Sequence, residues 1–293
     1  MKTLILYVFH QDCANLDTFI RRGIIGSPDM QFIFICNNTS PNLDKWNFLD
    51  DHENVHLFVR PNIGHDFQGW NEALFLPSSS LDQKIIYSNT IQQKSSDHGP
   101  FLHTIFDHFV FVNSTVTGPY LPLYVDKNWV DCFTSKFSSE IKMVGISVNF
   151  LRGQYNQYIS DIIKINYGFD SLDHAHIQSM IFSLDREGID ILFRYGLFRE
   201  GKNFPKNKWE LICSSEIGMS SILRHEKKSL YSFLFNQGLV KHNEVIASDD
   251  PWCTPGLHPV CETIFSKVTY MHNPEEQARY DSVIPRDILN NTK

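Results

Sequence analysis

Three kinds of pattern are missing from this chain of 293 residues, and each absence excludes a class of protein. No run approaches the roughly 18 apolar residues that span a bilayer, so no membrane-spanning helix is predicted. The net charge is −7 and no long basic run is present, which argues against nucleic-acid binding and against a polybasic membrane anchor. The six cysteines form no C-x-x-C pair, which argues against a zinc knuckle and favours free thiols in a reducing compartment.

The amino terminus contains a short apolar stretch that resembles a secretory signal. Its apolar core covers only residues 4–9 and is followed by no small-residue cleavage site, so a buried first strand fits better. We therefore expect a soluble, cytoplasmic chain, in a cell or in a host cell infected by a virus.

Apolar runs of five or six residues alternate with helical patterns in the first half of the chain. Strands are predicted at 4–9, 31–36, 55–59, 108–113 and 143–148, and helices at 16–25 and 66–76. This alternation predicts an α/β fold with a mostly parallel sheet flanked by helices. The 23 Phe residues are enough to build a sizeable core.

The second half of the chain is less regular. The spacing of apolar residues predicts helices at 175–187 and 214–225, and a loop follows at 243–259. No linker divides the chain, so we expect one domain over 1–293.

A strand-to-helix turn at 60–70 (RPNIGHDFQGW) is the most informative segment. Such a turn puts free backbone N–H groups at the carboxyl end of a sheet, where open α/β sheets bind anionic ligands. Arg60 adds a fork of donors for phosphate, and Asp66 adds an acceptor for a sugar or base. The alternative is an ordinary turn in which Asp66 is only a helix N-cap.

The strand predicted at 108–113 ends abruptly in polar residues, Asn113 and Ser114, before Gly118-Pro119 stops the element. Small polar side chains at the carboxyl end of a strand can face the phosphates or sugar hydroxyls of a ligand. The alternative is a simple ST-turn.

A carboxylate is predicted near the start of the helix at 214–225. Ser214 or Ser215 caps this helix in the prediction, so Glu216 falls in the first turn, where the helix dipole keeps a carboxylate ionised. An ionised carboxylate that faces a cleft can act as a general base. The alternative is a capping-region Glu with no chemical role.

Two further segments carry residues suited to ligand binding. His174 and His176 form a His-x-His pair, which suits a metal site or, with Gln178, polar contacts to an acceptor. Lys267 is either a contact for a diphosphate or a solvated surface charge.

Taken in order, these segments resemble a family of glycosyltransferases related to rhamnan-synthesis proteins, with members in bacterial polysaccharide clusters, algae and large DNA viruses. The resemblance covers 1–270. It is carried by Asn62-x-Gly64-x-Asp66, by 109–119 (FVFVNSTVTGP), by His176-Ile-Gln178-Ser179, by Glu216-Ile-Gly218-Met-Ser220, and by 259–267 (PVCETIFSK).

The resemblance implies a GT-A-like fold with a nucleotide-sugar-binding half (1–150) and an acceptor half (151–293). The residues it implies for the nucleotide base are Phe9, His10 and Asn37. Those for the ribose, diphosphate or donor sugar are Arg60, Asn62, Gly64 and Asp66. Asn113 and Ser114 take the place of an Asp-x-Asp metal motif, and Glu216 takes that of the base in inverting members.

The sequence departs from the family pattern at the metal motif. Asp-x-Asp supplies hard carboxylate oxygens to Mg²⁺ or Mn²⁺, which neutralises the diphosphate leaving group. The segment 113–115 (NST) has no carboxylate. Either the metal is dispensable and an Arg or Lys replaces it, or Asp66 or another acid supplies the ligand.

The sequence therefore predicts an inverting glycosyltransferase with Glu216 as base. The donor is a nucleotide-diphosphate sugar, with UDP favoured and xylose, rhamnose, glucose or galactose as the sugar, and the acceptor is a glycan. Two alternatives stay open. One is a catalytically silent sugar- or nucleotide-binding module, and the other is a metal-dependent hydrolase using Asp107, His108, His174 and His176.

Overall fold

Nine strands of the described chain form one sheet in the computed structural model, which describes residues 1–88, 99–121, 125–149, 156–234, 238–245 and 264–267. In chain order the strands of the fold are β1 (Thr3–Phe9), β2 (Met30–Cys36), β3 (Val55–Val59), β4 (Ile85–Tyr87), β5 (His108–Asn113), β6 (Val116–Thr117), β7 (Ile141–Gly145), β8 (Val148–Asn149), β9 (His176–Ile177), β10 (Ile181–Asp185), β11 (Ser229–Ser232), β12 (Gly238–Val240) and β13 (Ser266–Lys267).

The α-helices are α1 (Ala14–Gly23), α2 (His65–Leu74), α3 (Trp129–Thr134), α4 (Asn156–Tyr167), α5 (Arg186–Arg194), α6 (Lys208–Leu211) and α7 (Gly218–His225). A π-helical turn, Ile212–Ile217, joins α6 to α7, so that one helix runs from 208 to 225. In the described part of the chain, 3₁₀ segments lie at Leu43–Asp51, Ser78–Asp82 and Leu102–Thr104. Within the described residues, no helix is long and apolar enough to cross a membrane.

The central sheet is mostly parallel, which confirms the predicted fold class. Its strand order is β12-β11-β7-β10-β5-β1-β2-β3-β4. Only β10 and β12 run against the other strands of this sheet. The sheet takes strands from both predicted halves, because β10 lies between β5 and β7; the division at residue 150 stays a prediction.

Both faces of the central strands are buried, which explains their nearly continuous apolar sequences. In β1, Leu6 and Val8 pack into the core on the side of α2, whereas Ile5 and Tyr7 pack into the core on the side of α1. The Trp70 side chain of α2 has no exposed surface and packs into the core on the α2 side of the sheet. The sheet is therefore covered on both faces, and its carboxyl edge stays available for a site.

The helix predicted at 175–187 is wrong. This segment forms β9 and β10, and β10 pairs antiparallel with both β5 and β7. Its residues Ile181, Phe182 and Leu184 are fully buried between these neighbours, so pairing within the sheet overrides a spacing that also suits a helix. The strand predicted at 143–148 is also divided, since β7 ends at Gly145 and β8 begins at Val148.

Four cysteines, Cys13, Cys36, Cys132 and Cys213, are free thiols as predicted. Cys253, Cys261 and most of the predicted loop at 243–259 lie outside the described residues.

Candidate active site

The carboxyl edge of the sheet brings most of the predicted site residues together. Parallel pairing of β1 with β2 and β5, and of β2 with β3, places His10, Asn37, Arg60 and Asn113 at one edge. Because β10 runs antiparallel to β5, it begins at this edge, and the segment that precedes β10 lies there as well. The backbone N–H of Asn113 donates to the carbonyl of Met180 over 3.0 Å.

Glu216 is held by two residues of the segment before β10. Its Oε1 atom lies 3.3 Å from Nε2 of His176. Its Oε2 atom accepts from the backbone N–H of Ser179 over 2.9 Å and also from the Ser179 hydroxyl. The other ring nitrogen of His176, Nδ1, lies 2.7 Å from the carbonyl oxygen of His174. Each ring nitrogen of His176 therefore lies within hydrogen-bonding reach of an oxygen atom.

Glu216 is ionised in this setting. Burial is the largest influence and acts to raise its pKa, but the hydrogen bond and charge of His176 and the two bonds from Ser179 outweigh it. The pKa of Glu216 therefore lies below its ordinary value.

The predicted reason for this ionisation is wrong, because Glu216 does not lie in the first turn of a helix. The helix begins after Asn207, whose Oδ1 accepts from the backbone N–H groups of Trp209 and Glu210 over 2.9 and 3.2 Å. Ser214 does not cap it, and its hydroxyl donates to the carbonyl of Glu210 over 2.7 Å. Glu216 lies in the π-helical turn, a feature often found at functional sites.

Asp66 opens α2 next to the end of β5. Asn113 donates from Nδ2 to Oδ2 of Asp66 over 3.2 Å. Burial raises the pKa of Asp66 to about 6, although His65, Asn113 and Lys208 oppose the shift, and the charge of Glu216 adds to it. The site thus combines one ionised carboxylate with a second that takes up a proton readily.

Gly64, not Asp66, is the N-cap of α2, so the interpretation of Asp66 as an ordinary N-cap is wrong. Gly64 adopts a left-handed conformation, with φ of 70°. A Cβ atom at this position would lie 2.6 Å from Cβ of Gln68. The turn therefore requires glycine, and it aims the free N–H groups of the first turn of α2 at the sheet edge.

The segment 113–115 forms an Asx-turn, in which Oδ1 of Asn113 accepts from the backbone N–H of Thr115 over 3.0 Å and from its hydroxyl. Ser114 is fixed by its backbone, which donates to Val8 and accepts from Asn15. Lys267 lies opposite Val116 in the pairing of β13 with β6, close to the end of β5. The predicted contact of Lys267 with a diphosphate stays a prediction.

The Asx-turn is a poor substitute for an Asp-x-Asp motif. Its only side-chain carbonyl is occupied by Thr115, and its amide Nδ2 points at Asp66. Within the described residues, no group of three or more His, Cys, Asp or Glu side chains is arranged to hold a metal ion. The residues present do not fit a Mg²⁺ or Mn²⁺ site.

Arg60 is buried, with 1% of its surface exposed, and does not reach toward a ligand. Its Nε and Nη2 atoms donate to Glu72 over 2.7 and 3.0 Å, and Nη2 also donates to the carbonyl of Ile63. Its Nη1 atom donates to Oδ1 of Asn37. The predicted contact with phosphate is therefore not supported, and Arg60 instead holds Asn37 and the turn in place.

The residues expected at the nucleotide base lie together, but they do not all face outward. His10 Nδ1 is 2.8 Å from the carbonyl of Asn37 and 3.4 Å from Nδ2 of Asn62. The Phe9 ring is buried and stacks on Trp46 with ring centroids 5.5 Å apart. A contact between this ring and a base is therefore excluded in this arrangement.

The predicted acceptor residues differ in exposure. His176 is buried, with 1% exposed, and its ring contacts Glu216, so it offers no surface for the predicted contact with an acceptor. Gln178 is half-buried, and its Oε1 atom accepts from the Ser147 hydroxyl over 2.6 Å. Its amide remains near the sheet edge.

The metal-hydrolase alternative is wrong, because its four residues lie at opposite edges of the sheet. His108 begins β5, whereas the segment of His174 and His176 lies by the end of β5. Asp107 accepts from the backbone N–H of Lys2 over 2.8 Å, and His108 stacks on Phe137.

Sequence reasoning assigned no role to three residues that act on the site: Ser179, Glu72 and Lys208. Ser179 meets a residue 37 positions away, so no local pattern reveals the contact. Glu72 follows Arg60 by 12 positions across a turn.

No family model matches the chain, and a search of curated proteins finds no match. Solved structures with some similarity include residues 1–349 of TarS from S. aureus, with a TM-score of 0.38 and 10% identity over 76% of this chain and 56% of that one. The apo structure of the bifunctional glycosyltransferase WbbM has a TM-score of 0.34 and 9% identity over 72% and 36%. A197 from STIV has a TM-score of 0.31 and 11% identity over 85% and 98%.

The chain thus spans little more than half of the TarS structure and about a third of WbbM. Similarities this low do not decide the function. The fold and the site define an α/β protein with a polar, doubly acidic site at the carboxyl edge of its sheet.

Proposed function

We propose that this chain is a glycosyltransferase that takes a sugar from a nucleotide-diphosphate donor and inverts the anomeric configuration. One observation carries the proposal. An ionised Glu216, fixed by His176 and Ser179, lies at the carboxyl edge of a parallel sheet, within the electrostatic influence of Asp66. That edge is where open α/β sheets bind nucleotides.

Glu216 would act as the general base. It would accept the proton of an acceptor hydroxyl while the hydroxyl oxygen attacks the anomeric carbon from the face opposite the diphosphate. The bond to the diphosphate breaks as the new glycosidic bond forms. Holding Glu216 by three hydrogen bonds keeps it oriented and ionised before the acceptor arrives.

The donor would lie across the ends of β1, β2, β3 and β5. Asn62 and Asp66 offer polar contacts to the ribose or donor sugar, while His10 and Asn37 line the edge near the base. The N–H groups at the start of α2, together with Lys267, would face the diphosphate. We favour UDP as the nucleotide and xylose, rhamnose, glucose or galactose as the sugar. No step of this proposal passes through a metal.

A thermal-shift screen of nucleotide sugars tests the donor half of the proposal. A ligand at 100 times its dissociation constant adds about 2.7 kcal/mol to the free energy of unfolding, which is easily detected. Release of free UDP would then separate a transferase from a silent binding module. Failure of every nucleotide sugar to stabilise the protein would contradict the proposal.

The variant Glu216→Gln tests the catalytic half. Glutamine keeps the size of the side chain but cannot accept the proton, so we expect transfer to fall by about 10²–10⁴ while donor affinity persists. Glu210→Gln is the matched control, because Glu210 is exposed on the same helix. NMR coupling at C1 of the product should show inversion. A retained configuration, or unchanged turnover in Glu216→Gln, would remove Glu216 as the inverting base.

A further inference from the structure

A cleft of about 330 Å³ opens between the first turns of α4 and α6. Its lining includes Tyr158 and Ile159 from α4, and Asn207, Trp209 and Cys213 from the other helix. Tyr158 and Trp209 are each 47% exposed. Small-molecule sites are lined mainly by apolar and aromatic side chains with a few polar groups, and this cleft has such a lining.

We propose that this cleft, named here the aromatic cleft, binds sugar units of the glycan acceptor, an inference that rests on the proposed function. A pyranose ring presents C–H groups on its face, which pack on an aromatic ring, and hydroxyl groups around its rim, which need polar partners. Asn207 supplies such a partner. Its Oδ1 caps the helix, and its Nδ2 donates to no atom in the described part of the chain.

The position of the aromatic cleft relative to Glu216 supports an acceptor over other ligands. Trp209 precedes Glu216 by seven positions on one continuous helix, which corresponds to about 10 Å along the axis. A glycan whose reacting hydroxyl meets Glu216 can reach the aromatic pair with its following units.

The start of this helix also adjoins the donor side of the site. The carbonyl of Lys206 lies 3.4 Å from Nε2 of His65, and the charge of Lys208 acts on Asp66. The segment 206–209 therefore lies between the carboxyl edge and the aromatic cleft, which makes the cleft an extension of the same site.

The walls of the aromatic cleft are held in place by packing between the two helices. The Tyr167 hydroxyl donates to the carbonyl of Ser214. A Cβ atom on Gly218 would lie 3.0 Å from the Tyr167 ring, so glycine allows this close approach. The cleft is thus preformed, which lowers the entropic cost of binding a short ligand.

The size of the aromatic cleft favours a small, chain-like ligand. Its volume falls at the lower end of the range for small-molecule sites, about 300–1,000 Å³. A stable protein partner would need a buried area of roughly 1,200 Å² or more, far beyond this cleft. The polar Asn207 in its lining suits hydroxyl groups better than a wholly apolar partner.

Tryptophan fluorescence provides a direct test. Trp46, Trp70 and Trp129 are buried, and Trp252 is changed to Phe in every variant. A change in emission on adding a ligand to the cleft is therefore assigned to Trp209. The probes are linear gluco-, galacto-, rhamno- and xylo-oligosaccharides from mono- to hexasaccharide. We expect at least one series to change the Trp209 emission with an affinity that grows with chain length.

Calorimetry with the tightest of these probes then tests the two aromatic residues. We expect Trp209→Ala or Tyr158→Ala to weaken binding about threefold to tenfold, and Trp209→Phe to restore part of the loss. Tyr87→Ala is the control, because Tyr87 is 37% exposed on the far edge strand β4 and should bind the probe normally.

Donor binding separates failure of this inference from failure of the proposed function. Thermal shifts with the nucleotide sugar should be equal in Trp209→Ala and in the parent protein. Wild-type oligosaccharide affinity in Trp209→Ala, or no response to any series, would overturn the aromatic cleft as acceptor subsite and leave the transferase proposal intact. Loss of donor binding in the parent protein would instead contradict the transferase proposal.

Discussion

The imidazole of His176 and the carboxylate of Glu216 form a pair with Nε2 and Oε1 separated by 3.3 Å, in which the His176 side chain is 1% and the Glu216 side chain 16% exposed. The opposite side of the ring is fixed by the carbonyl of His174 at 2.7 Å. A buried carboxylate is stable when a charged, hydrogen-bonded partner compensates the loss of water. His176 is therefore a positioning residue, which sets both the orientation and the ionisation of Glu216.

The variant His176→Leu tests this role. Loss of the partner should raise the pKa of Glu216, because burial then acts with less opposition. Since the base must be ionised, the acidic limb of the profile of kcat/KM against pH should move to higher pH, by about one unit or more. Gln178→Leu, in the same segment, should leave that limb in place. An unmoved limb in His176→Leu would refute the positioning role.

Asp66 should make the stability of the protein depend on pH. The folded pKa of about 6 lies above the ordinary value of 3.8, so the folded state holds the proton more tightly than the unfolded state. Stability should therefore fall as pH rises from about 4 to about 6, and then level off. Asp66→Asn should remove this fall and be more stable than the parent above pH 6 by about 3 kcal/mol.

Urea unfolding at several pH values between 4 and 8 measures this effect. The exposed Asp50→Asn variant is the control and should keep the fall of the parent protein. If Asp66→Asn keeps the same fall, the elevated pKa belongs to another group.

Arg60 should matter for stability. Arg60→Met removes the donor of Asn37 Oδ1 and leaves Glu72 with the Gln68 amide in place of the guanidinium, and we expect a loss of about 3 kcal/mol in the free energy of unfolding. The value lies at the lower end for such pairs because Glu72 is 33% exposed and can recover water. Arg60→Lys keeps the charge but lacks the planar guanidinium donors, so its free energy of unfolding should lie between those of the parent protein and Arg60→Met. A loss below about 0.5 kcal/mol in denaturant unfolding would show that the contacts are weak.

Metal dependence is expected to be partial or absent. The Asx-turn at 113–115 offers no carboxylate, and its only amide oxygen is bonded to Thr115, so EDTA should leave at least part of the transfer activity. The measurement is product formation with and without chelator, followed by addition of Mn²⁺. Complete loss that Mn²⁺ restores would mean that a carboxylate such as Asp66 binds a metal ion.

The sequence predicted the first half of the fold well because its strands are apolar runs that end in polar residues. The ends of β1, β2, β3 and β5 were all located correctly, and parallel strands share one carboxyl edge. The site at that edge, including Asp66 beside Asn113, follows from this regularity.

The second half was less predictable because its contacts are distant in sequence. In β10, burial on both faces removes the alternation that identifies a strand, so the apolar residues of 175–187 also fit a helix. The contact of Ser179 with Glu216 spans 37 positions. The role of Arg60 depends on its donors being taken up by Glu72 and Asn37, which the spacing of residues along the chain does not reveal.

The central place of β1 has a consequence for synthesis on the ribosome. One edge of β1 pairs with β2, which ends at Cys36, but its other edge pairs with β5, which begins only at His108. A nascent chain therefore carries an unpaired, apolar strand edge while β2, β3 and β4 are made. Such edges promote association between chains, so fragments that end before β5 should aggregate or bind chaperones, whereas chains that include β5 can close the centre of the sheet.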